Sequence, residues 1–307
     1  MEEQLASLET VSMRDFLKYT FATVLGLLIF LGLSIGGLLS LVILAISSDA
    51  GPQVKNKSVL TLDLSTAISD GRRSVDSIQD VLDTNEPESI TLREVLNAIH
   101  QATEDSRIVG LYLYGDSEGS GTGFATLHEI REALQRFRAK GKKIVAYDVN
   151  FREREYYLAS VADQIVINPI GALEMNGFSS ETTFLAGALK KYGIGIQVTR
   201  VGKYKSAVEP LILTQSSPEN RRQTQTLLGD LWSEFLTAAA KERKLTPQQI
   251  QTITDAQGIL EANEALKARL VDRVGYLDEV VAELKKLTDS KDDDESFRQI
   301  SLKSYAR

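Results

Sequence analysis

Apolar positions along the chain fall into two regimes. From residue 21 to residue 48 the sequence FATVLGLLIFLGLSIGGLLSLVILAISS carries no charged side chain. It is longer than the roughly 20 residues that cross a hydrocarbon core, so it predicts one transmembrane helix. After residue 57 the pattern changes to short apolar runs separated by stretches in which apolar side chains recur at helical spacing. The runs SVLTLDL (58–64), IVGLYLY (108–114), KKIVAY (142–147), DQIVINP (163–169) and GIQVTRVG (195–202) predict strands. Helices are predicted between them. Thr91 and Glu94 form a capping box that opens LREVLNAIHQATED, and FATLHEIREALQRFRAKG closes at Gly141. EYYLASVAD and FLAGALKKYG follow, the latter ending at Gly193. Beyond Pro210, Ser217 and Pro218 start a long helix, Thr246 and Pro247 start another, and EANEALKARLVDRVGYLDEVVAEL gives two more around a break at Gly275. Alternating strands and helices predict an α/β domain with a largely parallel sheet over residues 58–287, with its ligand site at the carboxyl ends of the strands.

The ends of the span bear on orientation. Arg14 and Lys18 flank its N-terminal side, whereas Asp49 is the first charge after it and Lys55 and Lys57 come later. The positive-inside bias then places residues 1–20 in the cytoplasm, the anchor at 21–48, a linker at 49–57 and the folded body on the outer, periplasmic-type face. A cleaved signal peptide is the competing reading, because residues 45–47 read Ala-Ile-Ser, but secretory apolar regions run to about 15 residues at most. Gly32, Gly36 and Ser40 form a small-xxx-small row, which chance placement also explains.

Composition narrows the chemistry. The 307 residues include 35 Lys and Arg against 42 Asp and Glu, a net charge of −7, with no basic block, so a nucleic-acid partner is excluded. The chain has no cysteine and only His100 and His128, both in predicted helices. A thiolate site, a two-histidine metal site and a Ser-His-Asp triad therefore lack parts, and neither a metal nor a cofactor is expected. The acidic run TDSKDDDESF within residues 288–307 reads as a linker. A linker leads to a further domain, so the sequence is expected to be cut before a second one.

The segment RVGKYKSAVEP (200–210) leaves the predicted strand at 195–202 with two lysines, a serine and a Glu-Pro stop. Together with YYLASVADQIVINPIGALEMNGF before it, SPENRR and LWSEF after it, and the closing LVDRVG, it resembles the first half of the long form of the SppA-type signal peptide peptidases, also called protease IV. The resemblance runs from the anchor to about Tyr276. It implies a Clp-protease and crotonase-like α/β fold, two such domains in tandem, and a tetrameric assembly around apolar signal peptides. It also implies that Lys205 is the general base for a serine supplied by the second, C-terminal domain, while Lys203 occupies a position the motif does not need. The chemistry demands a neutral amine. An ammonium with an ordinary pKa near 10.4 must be lowered by about three units to accept a serine proton near neutrality.

The matching serine is absent. In serine-bearing domains of the family the nucleophile stands in a glycine-rich turn before an aromatic pair, and NFREREYYLAS places Glu153 there, three residues before Tyr156. The glycines of YGDSEGSGTGF (114–124) echo an oxyanion turn only loosely, and a plain loop accounts for them. Ser206 is next to Lys205 on an extended segment and points away from it, and Ser160 is expected on a helix surface. Two functions of different class follow. One is a membrane-anchored serine endopeptidase degrading cleaved signal peptides, of which this chain supplies the lysine and not the serine, and which is inactive alone. The other is a non-catalytic, membrane-bound binding or assembly module of the same fold. A crotonase-like acyl-thioester enzyme is a third, weaker one, since it would not carry the anchor.

Overall fold

The computed structural model describes residues 13–47, 54–71, 89–117, 122–291 and 295–306. Parts of several expected features lie outside them: residues 1–12 of the N-terminal segment, 48 of the anchor, 49–53 of the linker, 118–121 of the glycine run and 292–294 of the acidic run. The chain divides into two units, Met1–Gln53 and Val54–Arg307.

The first unit is helix α1, Met13–Ser47. It begins upstream of the expected span, and Phe16–Leu41, with a mean hydropathy of 2.4, is long and apolar enough to cross a membrane. The two threonines near its start do not oppose that, because each hydroxyl bonds back into the helix: Thr20 donates to the Phe16 carbonyl and Thr23 to that of Tyr19, both at 2.8 Å. Such back-bonding satisfies both of these hydroxyl donors within the helix.

The second unit is built on a six-stranded sheet. Its strands in chain order are β1 (Ser58–Asp63), β4 (Ile108–Tyr114), β5 (Lys143–Asp148), β6 (Gln164–Ile167), β9 (Arg273–Val274) and β10 (Gln299–Ser301), in the spatial order β10-β1-β4-β5-β6-β9. Every pairing in it is parallel. A parallel pair of β2 (Ala67–Ser69) and β3 (Ser89–Thr91) and an antiparallel pair of β7 (Ala172–Glu174) and β8 (Ile259–Glu261) stand apart from it. The mostly parallel α/β class expected from the sequence is the one observed.

Successive side chains of a strand point to opposite faces, and here both faces are covered. Leu60, Leu111, Ile144 and Ile165 belong to the larger core, beneath α2 (Leu92–Glu104), α3 (Phe124–Ala139), α4 (Glu153–Ala159) and α7 (Pro218–Arg243). Their neighbours Val59, Tyr112, Val145 and Val166 form a second cluster with Val280 and Leu284 of α10 (Leu277–Thr288) and with Phe297. Burial on both faces is why these strands read as unbroken apolar runs rather than alternating ones. The remaining helices are α5 (Ala186–Lys191), α6 (Glu209–Ile212), α8 (Pro247–Ala256), α9 (Ala262–Lys267) and α11 (Leu302–Tyr305). The caps read from sequence are present. The Thr91 amide donates to Glu94 at 2.9 Å while the Glu94 amide donates to the Thr91 hydroxyl, and Thr246 and Gln249 make the same reciprocal pair.

Three expectations change. Residues 195–202 form no strand: Ile196 and Val201 are exposed, and among the described residues no strand pairs with them. The charge run does not lead into a free linker, because the chain returns as β10 beside β1, and Phe297, Ile300 and Leu302 are buried. Ser160 is not a surface residue; it is buried at the end of α4, where Arg131 donates to its hydroxyl at 2.7 Å.

Close approach of backbone sets one position sharply. A Cβ on Gly171 would lie 1.6 Å from the Val149 carbonyl oxygen. Gly171→Ala must therefore push β7 away from the segment after β5, and a loss of about 3 kcal/mol is expected in urea unfolding, whereas Gly123→Ala, with open space around it, should change little.

Candidate functional site

Two places bear on the expected chemistry. The first is the loop of Lys205, between α5 and α6. The loop turns at Gly202, whose φ of +92° lies in the left-handed region that a side chain disfavours. Lys203, Tyr204 and Lys205 are exposed on it. Lys203 faces Glu219 at 3.8 Å, while the Lys205 ammonium makes no hydrogen bond or ion pair among the described residues. Behind the turn the chain is tied down. Arg200 Nη1 donates to the Lys205 carbonyl at 3.2 Å, and the Glu209 amide donates to the Ser206 carbonyl at 2.9 Å. Glu209 is fully buried; its carboxylate accepts from the Ser217 hydroxyl at 2.6 Å and amide at 3.1 Å, and faces Arg200 at 3.6 Å. A cleft of about 480 Å³ adjoins the root of the loop, between Ser180, Phe184, Thr214, Ser216, Asn220 and Leu228.

The second place is the carboxyl end of the sheet, where Glu153 occupies the position expected of a serine. Glu153 opens α4 and accepts from the backbone amides of Asn176 and, at 3.0 Å, Gly177. Two further amides nearby are taken by carboxylates. Gly115 donates to Asp148 at 2.7 Å, and Ser117 donates to the buried Glu155 through its amide at 2.9 Å and through its hydroxyl. An oxyanion hole needs amide donors aimed at empty space. Here the Gly115, Ser117, Asn176 and Gly177 amides are filled by the protein's own acids, and no serine hydroxyl stands where Glu153 does.

Burial raises the carboxyl groups of both Asp148 and Glu153 above the ordinary range, against the amides that lower them. A raised folded value means the native state holds its proton to higher pH than the unfolded chain, so this contribution to stability falls as pH rises from about 4.5 through the folded value. Glu153→Gln keeps an acceptor for the amides without the charge, and at pH 7 its melting temperature is expected to equal or exceed that of the parent. Glu153→Ala leaves the amides to solvent and should cost about 1 kcal/mol. A Gln variant clearly less stable than Ala would contradict this assignment.

The histidines are packing and surface groups. His128 Nδ1 sits 2.9 Å from the Tyr157 hydroxyl and 3.4 Å from Glu234, and His100 is exposed on α2. No hydrogen bond or ion pair links Lys205 to Glu153 among the described residues. The clasp of Arg200, Glu209 and Ser217 was not read from the sequence; the one signal for it was an acid placed directly before a proline after a basic run.

Comparison with known proteins adds a family to this geometry. Residues 136–291, which include the Lys205 loop and the Glu153 turn, match the description "Peptidase family S49". The chain is 31% identical over 271 residues to "Protease 4" of Salmonella typhi, covering 81% of this chain and 42% of that protein. It is 30% identical over 239 residues to "Protease 4" of Haemophilus influenzae, covering 75% and 38% respectively. With "Serine protease SPPA, chloroplastic" of Arabidopsis thaliana it shares 29% identity over 254 residues, covering 83% and 36%. The chain thus spans about two fifths of the length of the curated relatives it matches.

Proposed function

The chain belongs to peptidase family S49, and from that premise we propose that it is the base-bearing half of a membrane-anchored serine endopeptidase of the SppA type. In this reading Lys205 is the general base, and a second domain brings the serine and the oxyanion donors. Cleaved, apolar signal peptides are the substrate, and α1 holds the enzyme in the bilayer with its body on the outer face. A homo-oligomer, a tetramer by family resemblance, shields the site. The observation that carries the reading is the asymmetry of the two places just described: an unpaired, exposed ammonium on a braced loop, and a strand end where the Gly115, Ser117, Asn176 and Gly177 amides are already occupied. The exposure of Lys205 leaves the desolvation that a neutral amine needs to whatever covers the loop.

The same closed strand end favours the second reading, a non-catalytic module. The two differ in what serine-directed reagents find. We expect no fluorophosphonate labelling of this chain alone and stoichiometric labelling of a serine-bearing partner in its presence. The serine hydroxyls best placed here are engaged, that of Ser117 with Glu155 and that of Ser217 with Glu209. Stoichiometric labelling at one of this chain's own serines would show that the nucleophile has been misplaced. The membrane face has its own test, since protease added to intact spheroplasts should digest the body from Lys57 onward, and full protection there would reverse the orientation.

A further inference from the structure

We propose that Arg200 and Glu209 are positioning residues for Lys205, acting through a clasp with Ser217 that fixes the backbone on the C-terminal side of the lysine. The inference rests on the reading of Lys205 as the general base. Around the clasp the residues are exposed or half-buried, and the loop contributes no side chain to either core cluster. Glu209 is the exception, with 0% of its surface accessible. The Ser217 hydroxyl above all, with the Ser217 amide and Arg200, outweighs the burial that opposes its charge and holds the carboxyl below its ordinary range. The same bonds supply geometry. Arg200 Nη1 bridges the two halves of the loop, donating to the Lys205 carbonyl at 3.2 Å while lying 3.6 Å from Glu209. Glu209 in turn fixes the next residue, through its amide on the Ser206 carbonyl at 2.9 Å. Ser217 anchors the carboxylate to the first turn of α7, the 26-residue helix whose Phe235, Leu236, Ala239 and Ala240 are buried. The two peptide units that follow the Lys205 Cα are thereby referred to the core, although the loop itself is outside it.

A general base on a four-carbon stem needs this. Its nitrogen must sit within hydrogen-bond reach of a hydroxyl on another domain, and the stem has too many rotamers to define that point unless its Cα is held. Loosening the clasp should therefore lower the fraction of competent geometry without altering substrate binding.

The test uses the enzyme assembled with its serine-bearing half and a fluorogenic apolar peptide. For Arg200→Gln and Glu209→Gln, kcat should fall about 100-fold with KM little changed, the melting temperature falling modestly as the clasp loses its charge pair, and Arg200→Lys should recover part of the loss. Hydrogen exchange read on this chain should quicken at residues 203–209 in the Gln variants, which tests the clasp without reference to activity. Wild-type kcat in the Gln variants of an enzyme that Lys205→Ala inactivates would overturn the positioning role alone, as would a loss confined to KM. Unchanged exchange in both Gln variants would show that the clasp does not hold the loop. Full activity of Lys205→Ala would instead remove the base assignment and this inference with it.

Discussion

Lys205→Ala is expected to abolish peptide hydrolysis by the assembled enzyme, by about a thousandfold or more, with no change in its melting curve. The two halves of this expectation have separate causes. The rate falls because a serine hydroxyl without a base cannot shed its proton at the moment of attack, and nothing else on the loop can accept it: Lys203 lies toward Glu219 and the Arg200 guanidinium cannot be deprotonated. Stability is retained because the Lys205 side chain is exposed, so its truncation opens no cavity and orphans no partner. Lys205→Arg should fail nearly as badly, since it keeps the charge and reach but not the ability to become neutral. Lys203→Ala should stay within a few-fold of the parent. Activity within a few-fold in either Lys205 variant would return this lysine to the ordinary solvated kind.

Arg131→Met is expected to cost about 4 kcal/mol, seen as a fall in Tm on the order of 10 °C. Arg131 is buried on α3 and ties together three helices that sequence separates widely. It donates to the Tyr157 carbonyl, to Ser160 at 2.7 Å and to the Ala238 carbonyl at 2.9 Å, and its guanidinium lies over the Tyr157 ring at 4.8 Å. Glu242, 8% exposed, faces it at 3.8 Å and receives Arg138 at 2.6 Å. Methionine fills the volume but leaves two carbonyls and a hydroxyl without their donor and removes the more distant of Glu242's two arginines, while Arg138 and Gln135 stay bonded to it. Ser160→Ala removes one acceptor and should cost about 1 kcal/mol. A Met variant that melts with the parent would mean that water or Arg138 replaces the lost bonds.

How far the sequence could be read follows from where each element finds its partners. The central strands were legible because both faces are buried, so a run such as 108–114 is apolar throughout whatever lies beside it. β10 was not: of its three residues only Ile300 is buried, and it follows a dense acidic run. The opposite error at 195–202 has the same root. Apolar side chains at Ile196 and Val201 promise a strand, but a strand also needs an edge to pair with, and a pattern along one segment does not say whether an edge is free. Polar burial was the least legible. Ser160 and Glu209 are sequestered by Arg131 and by Ser217 with Arg200, partners that are neighbours only after the chain has turned. The Lys205 segment stood out for another reason, its likeness to a family, and its neighbours acquired meaning only through their contacts.

The pairing of β10 with β1 also sets a timetable. Val59 and Gln299 meet across about 240 residues of intervening chain, the kind of non-local contact that is made late and slowly. At ribosomal rates of about 5–20 residues per second, β1 waits between roughly ten and fifty seconds after it is made before its outer neighbour exists. Through that interval one edge of β1 offers unpaired backbone to any strand that passes, in a nascent chain whose apolar N-terminal segment has already emerged. The newborn protein is therefore most exposed to aggregation before its sheet is complete, and a chaperone that covers β1 during synthesis would protect it more than one acting afterwards.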